Sequence, residues 1–326
     1  MERLLTGLKP SGELTIGSYL GSIKQMVEYQ NEYETFMFVP DLHAITVSQD
    51  PQELKSRIRK NIALYIACGI NPEKVTLYIQ SENLYHANLS WILECNSYFG
   101  EMSRMTQFKD KHSKGENITT GLFTYPALMA SDILLYDADL VPVGKDQKQH
   151  VELARNIAER FNSKYGETFK VPSGLIPKTG AKIKDLVDPS KKMSKSEENY
   201  KGTILLLDSE KDIRKKIMSA VTDSDNKIYF DEENKPGISN LLTIYSSFKG
   251  IDIKESEKIF ENSNYGTFKK EVADVVATKL LEIQEKYQNI INSDLIDKIL
   301  DEGRDKTIKL AKEKYEIVRK KIGLGR

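Results

Sequence analysis

Apolar positions in the first eighty residues switch between a strand-like and a helix-like spacing. Arg3–Leu8 is short and partly apolar and reads as a strand. A loop rich in Gly, Pro and Ser follows from Gly7 to Gly17, and then Tyr19, Leu20, Ile23 and Val27 recur at helical spacing. Thr35–Val39 is a compact β-rich run. Asp50-Pro51-Gln52-Glu53 reads as a capping-box start with proline at the first helical position; the helix runs through Leu54, Ile58, Ile62 and Ile66 and stops at Gly69. Val75–Ile79 is the next strand. This β-α-β-α-β order predicts an α/β fold with a doubly wound parallel sheet, in which ligands sit outside the carboxyl ends of the strands.

Further along, Ala127–Leu135 reads as a buried helix, Leu140–Val143 as a strand ended by Gly144, and Gln147–Phe161 as a helix with Val151, Leu153, Ala154, Ile157 and Phe161 inward. After about residue 180 strand signals nearly vanish. Helices are predicted over Glu210–Val221, Ile238–Phe248, Phe268–Ile291 and Leu295–Lys321, so a second, all-helical domain follows the sheet.

The chain has 326 residues, enough for a catalytic domain plus a smaller one. Its 48 basic side chains balance 48 acidic ones, so nothing global draws it to nucleic acid, and any such contact must be a local basic patch. Cys68 and Cys95 have no partner at a zinc-like spacing and read as two thiols of a reducing compartment. The N-terminus lacks a basic-then-apolar signal pattern, and no apolar run reaches membrane length; a soluble, cytoplasmic protein without membrane contact is expected.

Two segments carry chemistry. The loop Gly7–Ser18 lies between the first strand and first helix, where such folds bind phosphate on backbone N–H groups; read alone, it is equally a Gly-rich surface turn. Lys192-Met193-Ser194-Lys195-Ser196 is sharper. Its lysines can close over a triphosphate and meet charge as it develops, which a merely solvated charge run would not do.

Together these segments resemble the two signatures of class I aminoacyl-tRNA synthetases. The family's His-Ile-Gly-His stands here as Thr15-Ile16-Gly17-Ser18, with hydroxyls in place of both imidazoles. Asp41-Leu42-His43-Ala44-Ile45-Thr46, Met105–Lys111, Tyr125–Tyr136, Val141–His150 and Lys235–Leu242 narrow the likeness to the tryptophanyl-tRNA synthetases, across essentially the whole chain. The resemblance implies a Rossmann-like domain over 1–186 that binds ATP and tryptophan and carries a dimer-forming insertion. It implies a helical anticodon-binding domain over 187–292, and a basic C-terminal helix over 293–326 returning to the first domain.

Asp132 sits between apolar neighbours, and a buried carboxylate needs a partner. An indole N–H is one; a helix end or a lysine is another. The resemblance selects the indole, with Leu5, Met129, Tyr125, Val141 and Val143 shaping the space and His43 and Gln147 facing the ammonium and carboxylate. It further implies that Lys9, Pro10, Ser11, Gly17, Ser18, Gly144, Lys145, Asp146, Ile183 and Lys192–Ser196, that is Lys192, Met193, Ser194, Lys195 and Ser196, line the ATP site. Asp146 suits ribose hydroxyls, Ile183 packs on adenine, and Lys111 reaches ATP, although it also reads as a surface lysine. His86 and His112 stand in no motif and take no role; His150 reads as structural.

The implied reaction is attack of the tryptophan carboxylate on the α-phosphorus of ATP, then transfer of the tryptophanyl group to tRNA(Trp). The nucleophile is already ionised, so positioning and charge stabilisation by Lys192, Lys195 and Lys111 suffice. No protein metal site is expected, and Mg²⁺ would ride chiefly on the triphosphate. Between Arg304 and Arg326 nine basic residues face three acidic ones, which suits tRNA phosphates or equally a solvated face packed on its own protein. The resemblance implies a homodimer. A tyrosyl-tRNA synthetase, a non-catalytic RNA-binding relative and a nucleotidyltransferase of the same fold are the competing readings.

Overall fold

The structure is a computed structural model that describes residues 1–10, 12–113, 117–144, 147–176, 181–193 and 200–326. Five parallel strands form one sheet in the order β3-β2-β1-β4-β5. They are β1 (Arg3–Gly7), β2 (Glu34–Val39), β3 (Val75–Ile79), β4 (Leu140–Pro142) and β5 (Ser173–Leu175). The chain winds outward from β1 through β2 to β3, then returns to place β4 on the other side of β1. The switch point therefore lies between the carboxyl ends of β1 and β4, where open α/β sheets hold ligands.

Side chains alternate across this sheet as the pleat requires. Leu4, Met37, Val39, Val75 and Leu77 enter one apolar cluster. Leu5, Phe36, Phe38, Tyr78 and Val141 enter the other. In register, Leu5 lies beside Phe36, and Phe36 beside Thr76. The first cluster continues into the helices that follow the sheet, so both regions share one core.

Helices of the sheet region are α1 (Ile16–Ser18), α2 (Lys24–Tyr29), α3 (Asp41–Ala44), α4 (Pro51–Ala67), α5 (Tyr85–Glu94), α6 (Phe99–Met102), α7 (Thr106–Ser113), α8 (Thr120–Leu134) and α9 (Lys148–Tyr165). The wider-wound turn Tyr19–Ile23 joins α1 to α2. Beyond it come α10 (Glu210–Met218), α11 (Pro236–Lys249), α12 (Ile253–Phe260), α13 (Tyr265–Ile291) and α14 (Leu295–Lys321).

Several boundaries differ from the sequence reading for visible reasons. Asp50 caps α4 by accepting from the Glu53 amide at 2.8 Å, but Glu53 pairs with Arg57 instead of completing a capping box. Gly69, at φ +114°, ends that helix as expected. α8 begins well before Ala127, capped by Thr119, and passes through Pro126. α10 stops short of Val221, whose amide donates to the Leu186 carbonyl at 2.8 Å. β5 and α5 were not legible: β5 is three residues without alternation, and α5 is broken up in sequence by polar residues that the fold buries. α12 was also unforeseen, though Asp252 caps it conventionally.

α14 folds back and packs on β3. Gly303 permits it: a Cβ there would lie 1.8 Å from the Leu77 carbonyl oxygen.

Candidate active site

Two adjoining cavities open at the switch point. The first, about 270 Å³, is floored by Leu5, Gly7 and Phe38 and walled by Val141, Val143, Met129, Ile133 and Tyr125. Its polar groups are Asp132, His43, Gln107, Gln147, Thr6, Thr46 and Lys9. Gly7 is needed here, because a Cβ would sit 2.8 Å from the Phe38 ring. All eight residues named for the amino acid, Leu5, His43, Tyr125, Met129, Asp132, Val141, Val143 and Gln147, line this one space.

Asp132 is 1% exposed and holds three donors. Gln80 Nε2 and His86 Nδ1 reach its Oδ1 at 2.7 and 2.6 Å, and His43 Nε2 reaches its Oδ2 at 2.8 Å. Burial would push the Asp132 carboxyl up, but the hydrogen bonds from the two histidines hold it below the ordinary carboxylate value. The buried carboxylate thus has protein partners of its own. His43, expected at the ammonium and carboxylate, is bonded to Asp132 and lies edge-on to Tyr125. The Tyr125 hydroxyl is hydrogen-bonded to His150 Nε2, and burial pushes it up to about 12.

The second cavity, about 580 Å³, is lined by Lys9, Thr15, Gly17, Ser18, Gly21, Ser22, Lys182, Lys192 and Met193 over an apolar base of Leu8, Leu14 and Ile23. Thr15 and Ser18 cap each other: Thr15 Oγ1 accepts from the Ser18 amide at 3.1 Å, and Ser18 Oγ from the Thr15 amide at 3.5 Å. The hydroxyls standing for the signature histidines therefore build the helix start as well as facing the cavity. The Met193 amide donates to the Ile183 carbonyl at 3.0 Å, fixing the described start of the lysine motif over the cavity. Lys9 lines both cavities, and burial and then the Lys111 ammonium hold its amine below the usual lysine range.

Not every named residue reaches a cavity wall. Ile183 is buried in the core behind Gly17. Pro10, Gly144 and Lys111 lie outside the lining of both cavities, although Lys111 is close enough to act on Lys9. Ser11, Lys145, Asp146, Ser194, Lys195 and Ser196 lie outside the described residues. Gln80, His86 and Tyr136 escaped the sequence reading. His86 is 46 residues from Asp132, with no local pattern to mark it, and only the fold joins them. Among the described residues no three His, Cys, Asp or Glu side chains gather as a metal cage, and no helix is long and apolar enough to cross a membrane.

The switch point of the parallel sheet thus holds an apolar cavity ending on a buried carboxylate, beside a lysine-lined cavity at a helix start. Residues 1–281 match the family described as tRNA synthetases class I (W and Y), and the chain belongs to that family. It is 54% identical over 326 residues to the tryptophan--tRNA ligase of Oceanobacillus iheyensis, covering 100% of both chains. It is similar in structure to the tryptophanyl-tRNA synthetase of Mycoplasma pneumoniae, with a TM-score of 0.89, 38% identity, and coverage of 100% of this chain and 98% of that one. The tryptophanyl-tRNA synthetase of Campylobacter jejuni complexed with ADP and tryptophan matches with a TM-score of 0.86 and 40% identity, over 99% of this chain and 100% of that one.

Proposed function

We infer that the chain is a tryptophan--tRNA ligase that activates L-tryptophan with ATP and passes it to tRNA(Trp). Asp132 carries this reading. Its Oδ1 already accepts two hydrogen bonds, while Oδ2 accepts one. A carboxylate oxygen has room for two, so Oδ2 keeps a lone pair at the wall of an apolar, ring-sized cavity. The indole N–H supplies the missing donor, and a side chain without it leaves the position unpaired.

The tryptophan carboxylate attacks the α-phosphorus of ATP, forming the carboxylate–phosphorus bond of tryptophanyl-adenylate and releasing pyrophosphate. Lys9, shared by the two cavities, sits where carboxylate and α-phosphate meet and offsets their mutual repulsion. Lys192 faces the departing phosphates, joined in this proposal by Lys195. The described lining of the second cavity offers hydroxyls and ammonium groups and no carboxylate. That donor set fits a polyanion and not a protein-held Mg²⁺, so any Mg²⁺ enters on the triphosphate. In the second step a terminal ribose hydroxyl of the tRNA attacks the adenylate carbonyl and AMP leaves.

The helical region 187–292 is proposed to read the anticodon. On α14, Arg304, Lys306, Lys314, Arg319 and Lys321 are tied to their own chain, which leaves less of this helix for tRNA phosphates than its charge implies. Leu84, Trp91, Tyr98 and Phe99 are exposed on and beside α5 and α6, and a second copy of the chain is proposed to cover them as a homodimer. Amino-acid-dependent pyrophosphate–ATP exchange across the twenty amino acids tests the reading. Exchange with tryptophan alone is expected; exchange with tyrosine, or with none, overturns it.

A further inference from the structure

We propose that His86, buried behind Asp132 and outside the cavity, is the positioning residue that makes the site demand an N–H donor. The proposal rests on the tryptophan reading above. His86 is 0% exposed, and its ring lies among Phe38, Tyr78 and Tyr136, with centroids 6.2, 6.0 and 5.6 Å away. Its carbonyl accepts from Ser131 Oγ at 2.7 Å, which ties α5 to α8 beside Asp132.

The hydrogen bonds around this ring run in one direction. A carboxylate can only accept, so His86 Nδ1 carries the hydrogen that reaches Asp132 Oδ1 at 2.6 Å. In the neutral ring Nε2 is then an acceptor, and the Tyr136 hydroxyl donates to it at 2.8 Å. Asn83 Nδ2 donates in turn to the Tyr136 oxygen at 3.1 Å. Asn83 and Tyr136 are buried like His86, so the bonds of this relay lie away from bulk solvent.

The order Asn83 to Tyr136 to His86 to Asp132 has a consequence at the cavity. With Gln80, His86 fills both acceptor positions of Oδ1, which fixes the rotation of the carboxyl group and favours its ionised form. Oδ2 is then a pure acceptor and discriminates for a donor. If His86 is removed, the buried Asp132 loses a donor and takes up a proton more readily. A carboxyl that carries a proton can donate as well as accept, and the requirement for N–H relaxes.

The test is pyrophosphate exchange with L-tryptophan and with its isostere β-(3-benzothienyl)-L-alanine, in which sulfur replaces the N–H. The full chain is compared with H86L, H86N and Y136F. H86L is expected to narrow the tryptophan-to-isostere ratio of kcat/KM by roughly tenfold or more, with KM for ATP unchanged. H86N places an amide N–H near the Nδ1 position and is expected to restore most of the ratio. Y136F, which barely alters volume, shifts it the same way by less. Equal loss for both substrates, or H86N no better than H86L, makes His86 a packing residue and overturns the proposal. Should H86L fail to fold, an unchanged ratio in Y136F overturns it alone. A wild-type chain that exchanges with tryptophan but does not discriminate the isostere refutes the role of Asp132 itself, a result distinct from failure at His86.

Discussion

Replacing Asp132 by Asn keeps the shape of the side chain and removes one acceptor and the charge. The amide oxygen best takes the Oδ1 position, where it retains Gln80 and His86 at 2.7 and 2.6 Å. Both bonds fall from charge-assisted to neutral, about 1 kcal/mol each, so stability drops by about 2 kcal/mol. The amide nitrogen then stands at Oδ2, facing His43. His43 can answer by changing tautomer and accepting, so that contact is repaired. The indole cannot, because its N–H now meets another N–H. Losing a bond to a charged acceptor and leaving two donors opposed should lower kcat/KM for tryptophan on the order of 10²-fold, with KM for ATP almost unchanged. Steady-state pyrophosphate exchange at varied tryptophan and varied ATP measures both. If tryptophan and ATP parameters deteriorate together, Asp132 is a structural carboxylate and the reasoning fails.

The same carboxylate sets a pH dependence. Its folded value is depressed, so its contribution is complete above the ordinary carboxylate value of about 4 and is lost as pH falls through the folded value; the Tm gap between wild type and D132N should close on acidification below about pH 4, and a constant gap would contradict this. G303A forces α14 away from β3 by roughly 1.2 Å or more, the shortfall between 1.8 Å and the 3.0 Å that Cβ contacts respect, and should cost about 2–3 kcal/mol in urea unfolding. K192A should lower kcat of exchange roughly 10–100-fold with little change in KM for tryptophan; a pure KM effect would remove Lys192 from the phosphate step. W91E should convert a dimer to monomer in sedimentation equilibrium, since it places a charge on a 67%-exposed tryptophan of the proposed interface; an unchanged mass would discard that face.

The short apolar runs of β1 to β3 and the helical spacing of α4 and α13 were readable locally, because these patterns are carried by neighbouring residues. The reading began α8 at Ala127, but the helix starts at Thr120 and passes through Pro126, with α5 and α9 packed against it. The glycine loop, the lysine motif and Asp132 were visible as residue types in context. The partners of Asp132 were not, since Gln80, His86 and His43 come from three separate segments.

By itself, the sequence determined a doubly wound sheet, a helical region after it, and a site at the sheet's carboxyl edge, because periodicity and short motifs are local properties of the chain. Only the tertiary structure decided that β4 returns beside β1, that one cavity collects eight distant side chains, and that a histidine without any motif holds the carboxylate facing it. The physical reason is burial: a carboxylate out of water must find donors wherever the fold brings them, and those donors are set by packing across the sheet and not by neighbours in the chain.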